Sequence, residues 1–159
     1  VFGSTQVDSS GQVEQNWEAL KLKEKGGNKT VLAGVPNTLP ALIKAYRIQE
    51  KACNVGFDWE EKDLVWDKVK EEIGEFENEL IHLNENKAEQ EFGDLLFSLI
   101  NAARLHKINP ENALERTNQK FIQRFNYIEE TAKRQNKNLK EMTLGEMDSL
   151  WNEAKSKGL

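Results

Sequence analysis

Glu72 and Glu75, followed by Glu91 and Asp94, form two acidic pairs with i,i+3 spacing on either side of the turn-like run Asn84-Glu85-Asn86. Residues three apart share one helix face, so each pair points as a unit. If the flanking segments are antiparallel helices, an advance of ~1.5 Å per residue brings both pairs to about the same height, and four carboxylates face one another. Crowded negative charge of that kind needs a cation. Hard divalent ions, Mg²⁺ above all, take oxygen ligands and keep their remaining positions for water or phosphate oxygens, so the quartet points to a metal–phosphate site. The rival reading is a solvated acidic face, since glutamate is favoured on exposed helices.

Downstream, Arg116, Lys120 and Arg124 fall four apart on one line. Beside an acidic quartet, such cations suit the outer oxygens of a metal-chelated triphosphate and the charge that develops on departing pyrophosphate. Alone, they read as partners of surface acids. Trp59 and Trp151 read first as core or rim aromatics; Lys155, one turn beyond Trp151, makes a pair able to close over a nucleotide. His82 and His106 lack a metal-ligand partner at useful spacing and Cys53 sits in a helical core stripe, so these three are assigned structural roles.

The elements that must carry these groups are helical. Residues 1–12, rich in Ser, Gly, Gln and Asp, read as a flexible lead-in, and residues 13–159 as one domain opening on a short helix over Val13–Lys25 that Gly26-Gly27-Asn28 ends. A second helix is expected over Leu39–Cys53, with Pro40 in its first turn, a stripe of Leu39, Leu42, Tyr46 and Cys53, and Gly56 as its stop before the aromatic connector Phe57-Asp58-Trp59. The third, Glu60–His82, has a core face of Val65, Val69, Ile73, Phe76 and Leu80, with Glu72, Glu75 and Glu79 beside it at the edge of the seam. The fourth, Asn86–Lys107, packs Phe92, Leu95, Leu96, Leu99 and Ala103 beside a polar line of Glu91, Asp94, Ser98 and Asn101. Asn109-Pro110 opens a fifth that runs to Arg134, buried through Leu114, Thr117, Phe121, Phe125 and Ile128. Thr143-Leu144-Gly145-Glu146 has the form of a capping box, and Met147, Leu150, Trp151 and Ala154 give a terminal amphipathic helix.

Composition agrees with an all-α chain. Of 159 residues 38% are hydrophobic and 31% charged, with 10 Gly and 3 Pro, which fits one helix-rich domain with long polar surfaces. The net charge of −5 argues against broad attraction to nucleic acid or anionic lipid, while leaving room for a mononucleotide. One cysteine permits no internal disulfide, no apolar run is long enough to span a bilayer, and the first residues show no basic region leading into an apolar stretch, so a cytoplasmic setting without membrane contact is expected.

Taken together, Glu71-Glu72-Ile73-Gly74-Glu75, the fifteen residues that follow, and Glu91-Phe92-Gly93-Asp94 resemble the acidic signature of MazG nucleotide pyrophosphohydrolases. Gly34–Ala41, Gly56–Trp59, Gly93–Phe97, Asn118–Phe121 and Arg124-Phe125 resemble family segments in the family's order, so the likeness covers roughly residues 14–157. It implies an all-α, MazG-like helical bundle completed by homodimerisation or higher assembly, which hydrolyses nucleoside triphosphates of broad base type to monophosphates and pyrophosphate with Mg²⁺, or Mn²⁺ in its place. Residue by residue it implies Glu72, Glu75, Glu91 and Asp94 as metal ligands, Lys120 and Arg124 as phosphate contacts, Trp151 with Lys155 as a further pair, and Asn101 and Asn118 as nucleotide contacts. Val1-Phe2-Gly3 resembles the end of the first domain of tandem members. The expected reaction is attack of water on the α–β phosphoanhydride, with Glu72 or Glu75 accepting the water's proton. Two alternatives stand beside it: a narrower all-α hydrolase acting on deoxyuridine nucleotides or phosphoribosyl-ATP, and a non-catalytic helical interaction module.

Overall fold

The computed structural model describes residues 30–58 and 64–159. The expected lead-in and Val13–Lys25 helix, Trp59, and the first residues of the expected third helix lie outside the described residues. Among the described residues there are five α-helices, two short 3-10 turns (Val31–Gly34 and Leu139–Glu141) and no strand, an all-α fold. They fall into two compact units, divided between Pro110 and Glu111.

In the first unit, α1 spans Ala41–Cys53. It starts two residues later than expected because Pro40 is its N-cap, with ψ 144°, leaving Leu39 in the preceding turn. It stops where Gly56 takes φ +90°, a left-handed value that an L side chain resists. Helices α2 (Leu64–Ile81) and α3 (Glu85–Leu105) form an antiparallel hairpin, and α1 packs on α3. The reversal is tighter than the sequence suggests. Asn84, expected to open the turn, is instead the N-cap of α3, its side chain accepting from Lys87 N at 3.3 Å, so Glu85 and Asn86 are already helical. Leu83 reverses the chain at φ +53°, with 86% of its surface exposed.

The core of this unit is smaller than the apolar stripes imply. Val65, Val69, Ala102 and Leu105 are buried together, with Leu95 packed against them. Nearer the reversal Phe76 meets Phe92 with centroids 5.3 Å apart, but Ile73, Leu80, Phe92, Leu96 and Leu99, all expected inside, remain exposed. The reason is geometric: a two-helix hairpin has one seam, and side chains off that seam need a third layer to cover them.

The second unit holds α4 (Pro110–Arg134) and α5 (Leu144–Ser156). Helix α5 begins with the expected capping box: Glu146 N donates to Thr143 Oγ1 at 3.2 Å and Thr143 N to Glu146 Oε2 at 2.9 Å. Lys137, then the Thr143 N–H and hydroxyl, which both donate to Glu146 Oε2, hold the Glu146 carboxyl down at about 2. Helices α4 and α5 are joined by Phe121 on Trp151, centroids 5.1 Å apart, and by Tyr127, whose hydroxyl donates to Glu153 Oε1 at 2.6 Å. Ile128 is buried as expected, but Leu114, Phe121 and Phe125 are exposed, and the packing is carried by Ile128, Thr131, Ala132, Met142 and Ala154.

Candidate metal centre

Helix α2 offers Glu72 and Glu75; α3 offers Glu91 and Asp94. The hairpin brings carboxylate oxygens of Glu72, Glu91 and Asp94 within 4.8 Å of one another. Glu75 is exposed and stands outside this group, although it still acts on Glu91. The Glu91 carboxyl is pushed up, first by partial desolvation and then by the neighbouring charges of Glu75, Asp94, Glu72 and Glu79. Four like charges around one carboxylate destabilise it unless a cation intervenes.

Glu72 carries the most information. It is 5% exposed, one oxygen pairs with Lys68 Nζ at 2.6 Å, and the other, Oε2, is buried without a hydrogen-bond partner. A buried carboxylate oxygen left unpaired is costly, and the Lys68 ion pair engages only the other oxygen. The donor set, three carboxylates and one orphaned oxygen, fits a hard cation that prefers oxygen. Lys68 also pairs with Glu71 at 2.9 Å. Sequence reasoning passed over Lys68, although it sits four residues before Glu72 on the same helix face and that spacing was its signal.

In the second unit, Arg116, Lys120, Arg124 and Lys155 line one open cavity of about 480 Å³, together with Glu115, Gly158 and Leu159. Trp151 lies beneath Arg124, whose guanidinium carbon is 5.3 Å from the ring centroid, while Arg124 Nε donates to Leu159 O at 2.8 Å. The structure therefore gathers the line of cations with Trp151 and Lys155. Asn118 is not in this cavity; its Nδ2 donates to Glu115 Oε2 at 3.4 Å. Asn101 sits on α3 and accepts from Arg104 Nε at 3.1 Å and Nη2 at 2.8 Å.

The residues assigned structural roles are engaged accordingly. Cys53 donates its thiol to Asp58 at 2.9 Å, and burial followed by Asp58 pushes its titration up, which keeps it protonated. Trp66 Nε1 donates to His106 Nε2 at 3.3 Å, and His82 Nδ1 meets Asn78 O at 2.7 Å. Among the described residues no helix is long and apolar enough to cross a membrane.

An antiparallel helical hairpin with carboxylates converging from both helices defines the class: an all-α protein whose hairpin carries an acidic cluster able to hold a metal ion. Residues 61–128 match the MazG nucleotide pyrophosphohydrolase domain. The chain is 40% identical over 156 residues to the nucleoside triphosphate pyrophosphohydrolase/pyrophosphatase MazG of Thermotoga maritima, and 35% identical over 159 residues to the nucleoside triphosphate pyrophosphohydrolase of Escherichia coli strain K12. It is also similar to the protein YabN of Bacillus subtilis, at 50% over 159 residues. Each alignment takes in 98% of this chain, but the chain spans only 58%, 60% and 32% of those relatives' lengths, in the same order. Over residues 61–128 the chain matches the MazG domain, and over nearly its whole length it is similar to MazG proteins.

Proposed function

We propose that this chain hydrolyses nucleoside triphosphates to monophosphates and pyrophosphate, with Mg²⁺ held by Glu72, Glu91 and Asp94. The observation that carries the reading is the buried, partnerless Oε2 of Glu72 beside two further carboxylates. The two relatives named as nucleoside triphosphate pyrophosphohydrolases support it. The bound ion, for which Mn²⁺ can stand in, supplies Lewis acidity and offsets triphosphate charge. Glu72, buried and tethered by Lys68, is suited to holding the ion; Glu75, exposed and outside the group of three, is suited to accepting a proton from water. As that water's oxygen bonds to the α-phosphorus, the bond to the bridging oxygen breaks and pyrophosphate leaves. Lys120 and Arg124, with Arg116 and Lys155 around the same cavity, offset the negative charge of the outer phosphates. Acceptance of several bases is part of the proposal; a substrate panel separates it from a hydrolase confined to deoxyuridine nucleotides or phosphoribosyl-ATP.

A homodimer completes the proposal, supported by the exposed apolar side chains Ile73, Phe92, Leu96 and Leu99 along the hairpin. The test is pyrophosphate release with Mg²⁺ from wild type, Glu75→Ala and Asp94→Ala. Each variant is expected to lose at least ~100-fold in turnover while remaining helical, since each loses a group that acts at the ion or on the water. Full activity in either refutes its role. Absence of pyrophosphate release by the wild type from every nucleotide favours the non-catalytic module.

A further inference from the structure

A second cavity, of about 530 Å³, lies between α1, the connector after it and α3, and nothing in the acidic centre uses it. Its polar residue of interest is Gln49. Gln49 is 6% exposed, and its Nε2 donates to Phe97 O at 2.8 Å. A carbonyl can only accept, so this bond fixes the amide's orientation and turns Oε1 away from Phe97. That Oε1 is buried and has no partner. Asn101, on the cavity wall, is fixed by the same logic: Arg104 can only donate and occupies Oδ1, so what Asn101 offers a ligand is its NH₂ group. Gln49, with its unpaired buried acceptor, and Asn101, with its NH₂ group, thus both line the cavity.

The remaining charge is already neutralised. Arg104, with its side chain 10% exposed, forks onto Asp58, with Nη1 to Oδ2 at 3.1 Å and Nη2 to Oδ1. Phe57, Phe97, Leu32 and Ile48 supply apolar surface. A neutral, flat occupant with an N–H beside an acceptor suits this lining better than a phosphate does. Its position suits the same occupant. Asp94, Phe97, Asn101 and Arg104 follow at steps of three, four and three on α3, so the cavity wall continues the helix face that carries the metal centre, with Asn101 ~10 Å along the axis from Asp94.

We propose that this cavity receives the nucleobase of the substrate and that Gln49 Oε1 accepts a hydrogen bond from an N–H on the base edge. The inference rests on the nucleotide reading above and deepens it, since it assigns a specificity residue. Its test measures binding of the four ribonucleoside monophosphates by calorimetry. The tightest binder is then compared with its counterpart carrying methyl groups on the N–H positions of the base edge, such as 3-methyl-UMP for UMP. Wild type is expected to bind the methylated form roughly 10- to 100-fold more weakly, because a buried acceptor is left unpaired. In Gln49→Leu, which keeps the bulk and removes the acceptor, the gap should shrink to within about threefold. Wild type that binds none of the four, or binds both forms alike, overturns the proposal, as does a Gln49→Leu protein with undiminished discrimination; the wild-type comparison decides even if the variant does not fold. Pyrophosphate release measured in parallel keeps the two claims apart. Release without base-edge discrimination sinks the base cavity alone, and discrimination without release sinks the hydrolytic reading alone.

Discussion

The two ends of the α2–α3 hairpin are built from the same kind of sequence and end in opposite environments. At the open end Val65 and Val69 are 1% and 4% exposed and pack with Ala102 and Leu105; toward the reversal Ile73 and Leu80 are 40% and 50% exposed. The apolar spacing continues without a break across that change. Glu72 stands at the boundary, buried as part of the well-packed end, while Glu75, three residues on, is exposed. The difference teaches that periodicity defines which face of a helix is apolar, whereas burial depends on what is laid over that face. It also gives the two glutamates of one motif different chemical characters, one suited to gripping an ion and the other to exchanging a proton.

The largest effect should come from loosening that boundary. Lys68→Met removes the tether on Glu72 while keeping the length of the side chain, and Mg²⁺ affinity should fall ~10- to 100-fold, as for groups that orient a metal ligand from behind. Lys68→Arg should recover most of the loss. Equal affinity in wild type and the Met variant would mean that Glu72 needs no positioning.

The packing contrast itself is broken or sharpened by paired truncations. Val69→Ala at the buried end should cost about 2 kcal/mol in chemical denaturation, from two lost methyl groups and the gap they leave. Ile73→Ala should cost less than about 1 kcal/mol when the chain is dilute. An Ile73→Ala cost that grows with protein concentration would point to a second copy over this face, as the proposed homodimer requires.

At the reversal, Leu83→Gly should stabilise the fold by roughly 0.5–1 kcal/mol, because it relieves a left-handed leucine that is almost wholly exposed. Glu91 gives the smallest effect and one with a definite sign. Its folded pKa is raised above the unfolded value, so the native state holds this proton more tightly, and the metal-free hairpin gains stability as pH falls through the raised value toward the ordinary carboxylate range. Glu91→Gln should therefore melt higher than wild type at neutral pH without metal. That advantage should vanish in acid and reverse when Mg²⁺ is added; a constant offset at every pH would show that repulsion is absent.

Much of this was legible in the residues. The Pro110–Arg134 helix and the capping box at Thr143 follow from local chemistry, because caps and first-turn prolines act on their own neighbours. The acidic pairs were visible for the same reason: a three-residue step on a helix is a local rule. Gln49 was not visible, since its partner Phe97 lies 48 residues away and nothing in the Ala41–Cys53 stripe marks one glutamine among several polar residues. The Arg104–Asp58 fork, 46 residues apart, was hidden in the same way. The exposure of Ile73, Leu96 and Leu99 was unreadable for a further reason: a pattern shows that a face seeks cover without showing whether the same chain supplies it.

Calorimetric titration of Mg²⁺ into wild type and Glu72→Gln tests the central claim most directly, since the amide keeps the shape of the side chain and removes the charge. Wild type should bind saturably, and Glu72→Gln should bind at least ~10-fold more weakly. Undiminished Mg²⁺ binding by Glu72→Gln would contradict the assignment of that buried oxygen as a metal ligand.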